Sequence, residues 1–496
     1  MRKSGILLPV ASLPGKYGIG TFGKEAYRFV DRLKEAGQSF WQILPLGATG
    51  YGDSPYQSFS TFAGNPYYID LESLVEEGLL TEEELAQFDF GDNEHYIDYE
   101  KIYLSRFKAL RIAYENCNLE YNGAFWEFVA ENRFWLEDYA LFMAIKNHFD
   151  GASFSEWDED IRLREEEAMV RYKNRYDDEI NFFRFQQFCF MKQWKKLKKY
   201  ANDNGVEIIG DIPIYVAFDS ADTWSDPKLF QIDETGKPKA VAGCPPDAFT
   251  ALGQLWGNPL YDWKYHAQTG YEWWKKRMLH CRRLYDVVRV DHFRGFDSYY
   301  AIPYGKPDAR EGFWEQGPGM ALFDALRETL GETRIIAEDL GFLTPSVLEL
   351  VKKSGFPGMK VLQFAFDPNE PNDYLPHNYH HNCVVYTGTH DNNTLLGWLS
   401  EISPEERRFA REYMHLTGDT DEEIAEGLIR LAMSSVADIC IVPIQEHLGK
   451  DGSARINKPA TLGDNWKWRM TADEFTDAVV EKMRRMTWIY GRLKKD

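Results

Sequence analysis

The 496-residue chain is short of cysteine: Cys117, Cys189, Cys244, Cys281, Cys383 and Cys440 are its six, and no two form a CxxC pair. That scatter excludes a disulfide-stapled scaffold and fits reduced thiols in a cytoplasmic protein. No apolar run approaches the roughly 20 residues that a membrane-spanning helix needs. The start, Met1-Arg2-Lys3-Ser4-Gly5, is basic, but the apolar run behind it breaks at Pro9, too early for a signal peptide. Positive charge is scarce too: 57 Lys and Arg stand against 78 Asp and Glu, a net charge of −21. This balance opposes nucleic acid and anionic membranes as partners and leaves neutral ligands open. No GxxxxGK[ST] loop, GxSxG elbow or HExxH helix occurs. His377, His380 and His381 lack metal-ligand spacing and read as a surface cluster, so no metal is expected. Internal repeats and low-complexity linkers are absent as well.

What the sequence has in quantity is aromatic residues, 15% of the chain with 15 Trp, 28 Tyr and 32 Phe. Most serve a core. A surplus also suits a groove for sugars, whose C–H faces stack on aromatic planes. Gly18-Ile19-Gly20-Thr21-Phe22-Gly23 matches GxGxxG ahead of a helix over Lys24–Glu35. The glycines do not directly follow a strand, and the next strand ends in Leu46-Gly47 with no acid, so a dinucleotide site is not expected.

The most informative stretch is Asp286-Val287-Val288-Arg289-Val290-Asp291-His292-Phe293-Arg294. A β-branched run reads as a strand buried on both faces, and a carboxylate stands where it stops. Arg289 shares a strand face with Asp291 and suits holding that acid ionised. Two further buried runs end alike. Ile335-Ile336-Ala337 leads into Glu338-Asp339, and Cys383-Val384-Val385-Tyr386-Thr387 leads into His390-Asp391-Asn392. Acids at the C-terminal ends of parallel strands are what a (β/α)8 barrel presents at its catalytic face.

Eight strand-like segments support a (β/α)8, or TIM, barrel filling residues 1–496: 6–10, 40–46, 206–212, 287–290, 334–337, 360–365, 383–387 and 439–443. Residues 74–204 read as a mainly helical insertion after the second strand, with a capping box at Thr81 and Glu84 and long amphipathic helices over 125–148 and 182–200. Residues 213–271 read as a loop-rich insertion after the third strand that covers the active site.

Glycosidic cleavage needs two carboxyl groups, one as nucleophile and one as proton donor. Asp291, beside Arg289, suits the nucleophile. Glu338 follows an apolar run with no basic neighbour in sequence, and suits the donor, whose pKa must be raised. Asp391, beside His390, suits hydrogen bonds to sugar hydroxyls.

At these positions the sequence resembles the amylomaltase family, the 4-α-glucanotransferases or disproportionating enzymes, which are α-amylase-like barrels. The resemblance runs nearly end to end. It is carried by Tyr51-Gly52-Asp53-Ser54-Pro55-Tyr56, Gly210-Asp211-Ile212-Pro213-Ile214-Tyr215-Val216, Trp256-Gly257-Asn258-Pro259, Arg289-Val290-Asp291-His292-Phe293-Arg294-Gly295, Ala337-Glu338-Asp339-Leu340-Gly341 and Thr389-His390-Asp391-Asn392. It implies retaining double displacement on α-1,4-glucans and maltooligosaccharides, ended by a sugar 4-hydroxyl, with no cofactor or calcium. Asp291 would attack, Glu338 would shuttle the proton and Asp391 would hold the distorted sugar. Arg289, His292 and His390 would surround that sugar, Tyr56 would stack beneath it and Asp211 would support the site. The loop bearing Asp247, Phe249, Gln254 and Trp256 would cover the glucan, with Asn258, Phe364 and Asn465 also in the binding set. The enzyme would act as a monomer or weak homo-oligomer. Two places depart from the family pattern: Asn457-Lys458-Pro459-Ala460-Thr461, where Asn-Met-Pro-Gly-Thr is usual, and Ile444-Gln445-Glu446-His447 after the last strand. Both bear on the acceptor side. Two rival readings remain at this point, an α-glucan hydrolase on the same scaffold and a non-catalytic glucan-binding protein.

Overall fold

The computed structural model describes residues 2–50, 53–246, 250–341, 343–369 and 372–493. Eight parallel strands, here β1 to β8 in chain order, form one sheet: Lys3–Leu7, Phe40–Gln42, Glu207–Pro213, Val287–Asp291, Ile335–Ala337, Gly358–Val361, Cys383–Tyr386 and Ile439–Pro443. Hydrogen-bonded pairing runs from β6 through β7, β8, β1, β2, β3 and β4 to β5. The Ala337 N–H donates to Pro357 O just ahead of β6 at 2.9 Å, which brings the two ends of the sheet together into a barrel. The (β/α)8 expectation is met.

Strand alternation explains where the site lies. Leu7, Phe40, Ile209, Val287, Ile336, Met359, Val361, Val384 and Ile441 fill one apolar cluster contributed by all eight strands. Two residues further along β2, β3 and β4, the same face carries Gln42, Asp211 and Arg289. Tyr386 of β7 belongs to the apolar cluster, yet its hydroxyl donates to Gln42 Oε1 at 2.9 Å. The interior therefore turns from apolar to polar within one layer, at the C-terminal mouth.

Some segments differ from expectation. The first strand is Lys3–Leu7 rather than 6–10, because the chain turns at Pro9 into a short 3₁₀ segment, Val10–Ser12. β6 ends at Val361, and Leu362–Phe364 is a 3₁₀ turn, so Phe364 lies past the strand instead of in it. The single helix expected over 125–148 is two, Gly123–Glu131 and Arg133–His148. Asn132 breaks it by donating its amide back to Phe128 O at 2.8 Å and accepting from Trp135 Nε1. Within 213–271 the structure has more order than a loop. Ala240–Cys244 and Gln254–Pro259 pair antiparallel and join Ser298–Pro303 and Phe313–Gln316 in a four-stranded sheet beside the barrel mouth. The GxGxxG glycines serve packing: a Cβ on Gly20 would meet Val10 O, and one on Gly23 would meet the Asp70 carboxylate.

Two backbone positions near the site make stability predictions. A Cβ at Gly210, next to Asp211, would lie 2.1 Å from the buried Tyr285 ring. Gly210→Ala is expected to cost about 1–3 kcal/mol of unfolding free energy, read from the urea midpoint. Ala460, where the family pattern usually has glycine, sits in the left-handed region at φ +62°. Ala460→Gly is expected to gain about 0.5–1 kcal/mol in the same assay, the relief of the Cβ clash less the extra chain entropy of glycine.

Candidate active site

Asp291 is the last residue of β4, and Glu338 follows the last residue of β5. Val290 pairs with Ala337, so the two acids are the next residues on neighbouring parallel strands. Adjacent strands lie about 4.8 Å apart. Glu338 reaches back over this gap: its Oε2 accepts the backbone N–H of His292 at 2.7 Å, and its Oε1 accepts that of Leu340 at 3.0 Å. His292 can direct its N–H there because it adopts a left-handed conformation, φ +54°, the strained backbone found where a site over-determines a residue.

Arg289 organises the other flank. The guanidinium is buried and forks, with Nη1 on Asp211 Oδ2 at 2.6 Å and Nη2 on Asp291 Oδ1 at 3.0 Å. Asp211 also accepts the Tyr56 hydroxyl at 2.9 Å. Since Tyr56 donates there, it accepts from His390 Nε2, 2.9 Å away, which fixes the His390 tautomer. That ring stacks on Tyr56 with an interplanar angle of 15°, and its Nε2 lies 3.3 Å from Asp391 Oδ1. A continuous polar chain, Asp391–His390–Tyr56–Asp211–Arg289–Asp291, thus crosses the mouth from the β7 side to β4. Tyr56 also lies near Trp466, at 5.9 Å between ring centroids.

Burial sets the protonation states. Desolvation raises the Asp291 carboxyl above its ordinary range, and neighbouring Asp211 and Asp391 add to the rise; Arg289 opposes both. Removal from water outweighs the ion pair, so Asp291 titrates at about 6 and is still ionised at neutral pH. Glu338 is raised further, first by burial and then by the negative charge of Asp291, against the two N–H bonds that favour its anion. Asp291 is therefore the first of the pair to ionise and Glu338 the last to lose its proton, the split that an acid–nucleophile pair needs. Burial and nearby Arg294 push His292 down to about 3, so it stays neutral. Burial likewise keeps the Tyr56 phenol protonated.

The remaining expected residues divide. Trp256 packs edge-on against His292 at 4.8 Å, near Tyr215, and its indole N–H donates to Gln254 Oε1 at 3.0 Å. Asn258 is buried, donating to Val216 O at 2.7 Å and accepting from Gln57 at 3.4 Å; its amide fixes the strand behind Trp256. Phe364 is 43% exposed, edge-on to Tyr374. Asn465 uses its amide within its own exposed loop, bonding Lys458 N and Thr461 O. Tyr51, Gly52, Asp247 and Phe249 lie outside the described residues. Residues that sequence reasoning missed are Tyr215, against Trp256 and His292, and Arg455 and Asn457, which bond Asp391. Tyr215 lies within the Gly210–Val216 motif and Asn457 opens the Asn457–Thr461 stretch, whereas Arg455 has only its nearness to that stretch to flag it. Among the described residues no group of His, Cys, Asp and Glu could hold a metal ion, and no helix is long and apolar enough to cross a membrane. His377 and His381 instead meet Tyr413 and Val436 O.

The profile of the 4-alpha-glucanotransferase family matches residues 8–474. A 4-alpha-glucanotransferase from Clostridium butyricum is 51% identical over 485 residues, covering 97% of this chain and 99% of that protein. One from Streptococcus pneumoniae is 49% identical, covering 100% of this chain and 98% of its own. Among solved structures, an amylomaltase from Streptococcus agalactiae in complex with acarbose superposes with a TM-score of 0.96 at 41% identity, over 100% of both chains.

The protonation split predicts a bell-shaped pH dependence of kcat/KM. Asp291 must be ionised, so activity is lost as pH falls through its raised pKa, placing the acid limb above the ordinary carboxylate value of about 4. Glu338 must hold a proton, so activity is lost as pH rises through its own, higher pKa. An acid limb at an ordinary carboxylate value contradicts the assignment.

Proposed function

The chain belongs to the 4-α-glucanotransferase family, and we propose that it passes α-1,4-glucan segments from a donor to the 4-hydroxyl of an acceptor glucan or glucose by retaining double displacement. The observation that carries this reading is the register of β4 against β5, which sets Asp291 and Glu338 side by side at the barrel mouth. Retaining enzymes hold their two carboxyl groups about 5–5.5 Å apart, and neighbouring strands suit that separation.

In the first half-reaction the Asp291 carboxylate bonds to the anomeric carbon while the glycosidic C–O bond breaks. Glu338 delivers its proton to the departing 4-oxygen, so the leaving glucan departs neutral. In the second half, the acceptor 4-hydroxyl attacks the same carbon, its proton passes to Glu338, and the bond to Asp291 breaks. Arg289 orients Asp291 throughout. Asp391, His292 and His390 bind hydroxyls of the sugar at the cleavage point. Tyr56 stacks beneath that sugar, and its bond to Asp211 keeps the ring in place.

Trp256, held by Gln254, packs against His292 and keeps water from the glycosyl-enzyme. Asn258 supports Trp256, while Phe364 and Asn465 contact the glucan further out. In domain terms the whole chain is one catalytic barrel, with a helical subdomain over 74–204 and a covering insertion over 213–271. The thiol scatter and acidic charge suit an enzyme acting in the cytoplasm on starch-type glucans and maltooligosaccharides, as a monomer or weak homo-oligomer.

Incubation with maltotriose tests the reading against hydrolysis on the same scaffold. Transfer gives a ladder of longer oligosaccharides plus glucose; shortening alone defeats it. Asp291→Asn is expected to lower turnover by roughly 10⁴-fold or more while glucan binding persists, and intact turnover in that variant removes the nucleophile assignment.

A further inference from the structure

Asp391 stands five residues beyond the end of β7 at Tyr386. The segment that follows β8 holds it in place. Asn457 Nδ2 donates to Asp391 Oδ1 at 2.6 Å, and the Asn457 N–H donates to His390 O at 3.1 Å. Arg455 binds both sides of this junction: its Nη2 donates to the Asp391 carbonyl at 2.7 Å and its Nε donates to Asn457 O at 2.8 Å. Earlier in the same segment, in the short helix Ile444–His447, Glu446 Oε2 accepts the N–H of Leu395 at 2.9 Å.

Arg455 makes no ion pair among the described residues. A half-buried guanidinium that serves two main-chain carbonyls is a costly way to hold a loop unless the geometry matters. Its planar fork fixes two carbonyls at a set spacing, which a flexible ammonium cannot do. Those carbonyls belong to Asp391 and to the residue whose amide grips the Asp391 carboxylate. Every contact described reaches the backbone or Oδ1, and no hydrogen bond among the described residues reaches Oδ2.

We propose that Arg455 is a positioning residue for the transfer reaction: by tying the Asp391 main chain to Asn457, it aims Asp391 Oδ2 at the bound sugar. This rests on the reading of Asp391 as the carboxylate that grips the distorted sugar. Arg455 itself touches no reacting atom, so its effect runs entirely through Asp391. A slack Asp391 binds ground-state glucan nearly as well but grips the transition state poorly, which lowers kcat more than it raises KM.

The experiment is a double-mutant cycle in the full-length enzyme, with kcat and KM for maltotriose disproportionation and the thermal midpoint as readouts. Arg455→Met is expected to lower kcat about 30- to 100-fold, as a misplacement near 1 Å does. KM should stay within about threefold and the thermal midpoint should stay close to that of the parent. Arg455→Lys, keeping the charge and one donor nitrogen but losing the planar fork, should lose about fivefold. In the Asp391→Asn background, Arg455→Met should change kcat by less than about twofold. An unchanged kcat in Arg455→Met, or the same fold loss in both backgrounds, overturns the inference. If Arg455→Met does not fold, Arg455→Lys decides, an unchanged kcat overturning the proposal. Near-normal turnover in Asp391→Asn alone removes the underlying reading of Asp391 instead.

Discussion

The structure depends on one buried cation. Arg289 lies inside a barrel whose lower layers are apolar, and its fork satisfies Asp211 on one side and Asp291 on the other. Buried charges of this kind are tolerated only when paired and hydrogen-bonded, and removing one partner leaves the others uncompensated. Arg289 therefore fixes more than its own strand. Through Asp211 it fixes Tyr56, through Tyr56 it fixes His390, and His390 adjoins Asp391. Four segments from different barrel strands become one rigid constellation. The cost is a pair of carboxyl groups too desolvated to behave as free acids, and that cost yields the protonation asymmetry on which the proposed chemistry relies.

The acids themselves were legible from the sequence. A buried strand that ends in a carboxylate is conspicuous, three of them more so, and the alternation that puts Arg289 beside Asp291 follows from strand geometry alone. Less legible was the full set of causes behind their ionisation. The pairing of Arg289 with Asp291 follows from strand alternation, whereas the net upward shift of Asp291 does not, because desolvation by the assembled mouth exceeds the ion pair. For Glu338 the apolar run before it already points to a raised pKa; the further rise from Asp291, 47 positions away in sequence and one strand away in space, comes only from the assembled barrel.

What stayed hidden was long-range and polar. The four-stranded sheet has little signature in the sequence because its strands are short, 4–6 residues each, and split between two stretches that flank the Asp291 strand. The end of β6 was misplaced because Leu362-Gln363-Phe364 continues the apolar pattern while the backbone has already curled. Arg455 carries no motif of its own, and the stretch that Asn457 opens does not reveal its partner; Asp391 lies 64 and 66 residues upstream of the two. Sequence pattern reports which residues avoid water, and reports poorly which carbonyl a guanidinium will meet.

A glycosyl-enzyme is indifferent in principle to whether a sugar hydroxyl or water arrives next, since Glu338 can take a proton from either. The choice is made by occupancy of the space above Asp291. Trp256, edge-on to His292 and fixed by Gln254 through its indole N–H, sets an aromatic ring against the residue that follows Asp291. A pyranose gains from such a ring by stacking, while a single water molecule has no face to present and meets a neutral imidazole in place of a charge. An aromatic ring of this kind also rewards the transition state for transfer more than that for hydrolysis, because only the former has an acceptor ring to stack. On the proposed mechanism, the preference for sugar over water would belong to the four-stranded sheet that carries Gln254 and Trp256, while the carboxyl pair at the mouth of β4 and β5 would serve either outcome.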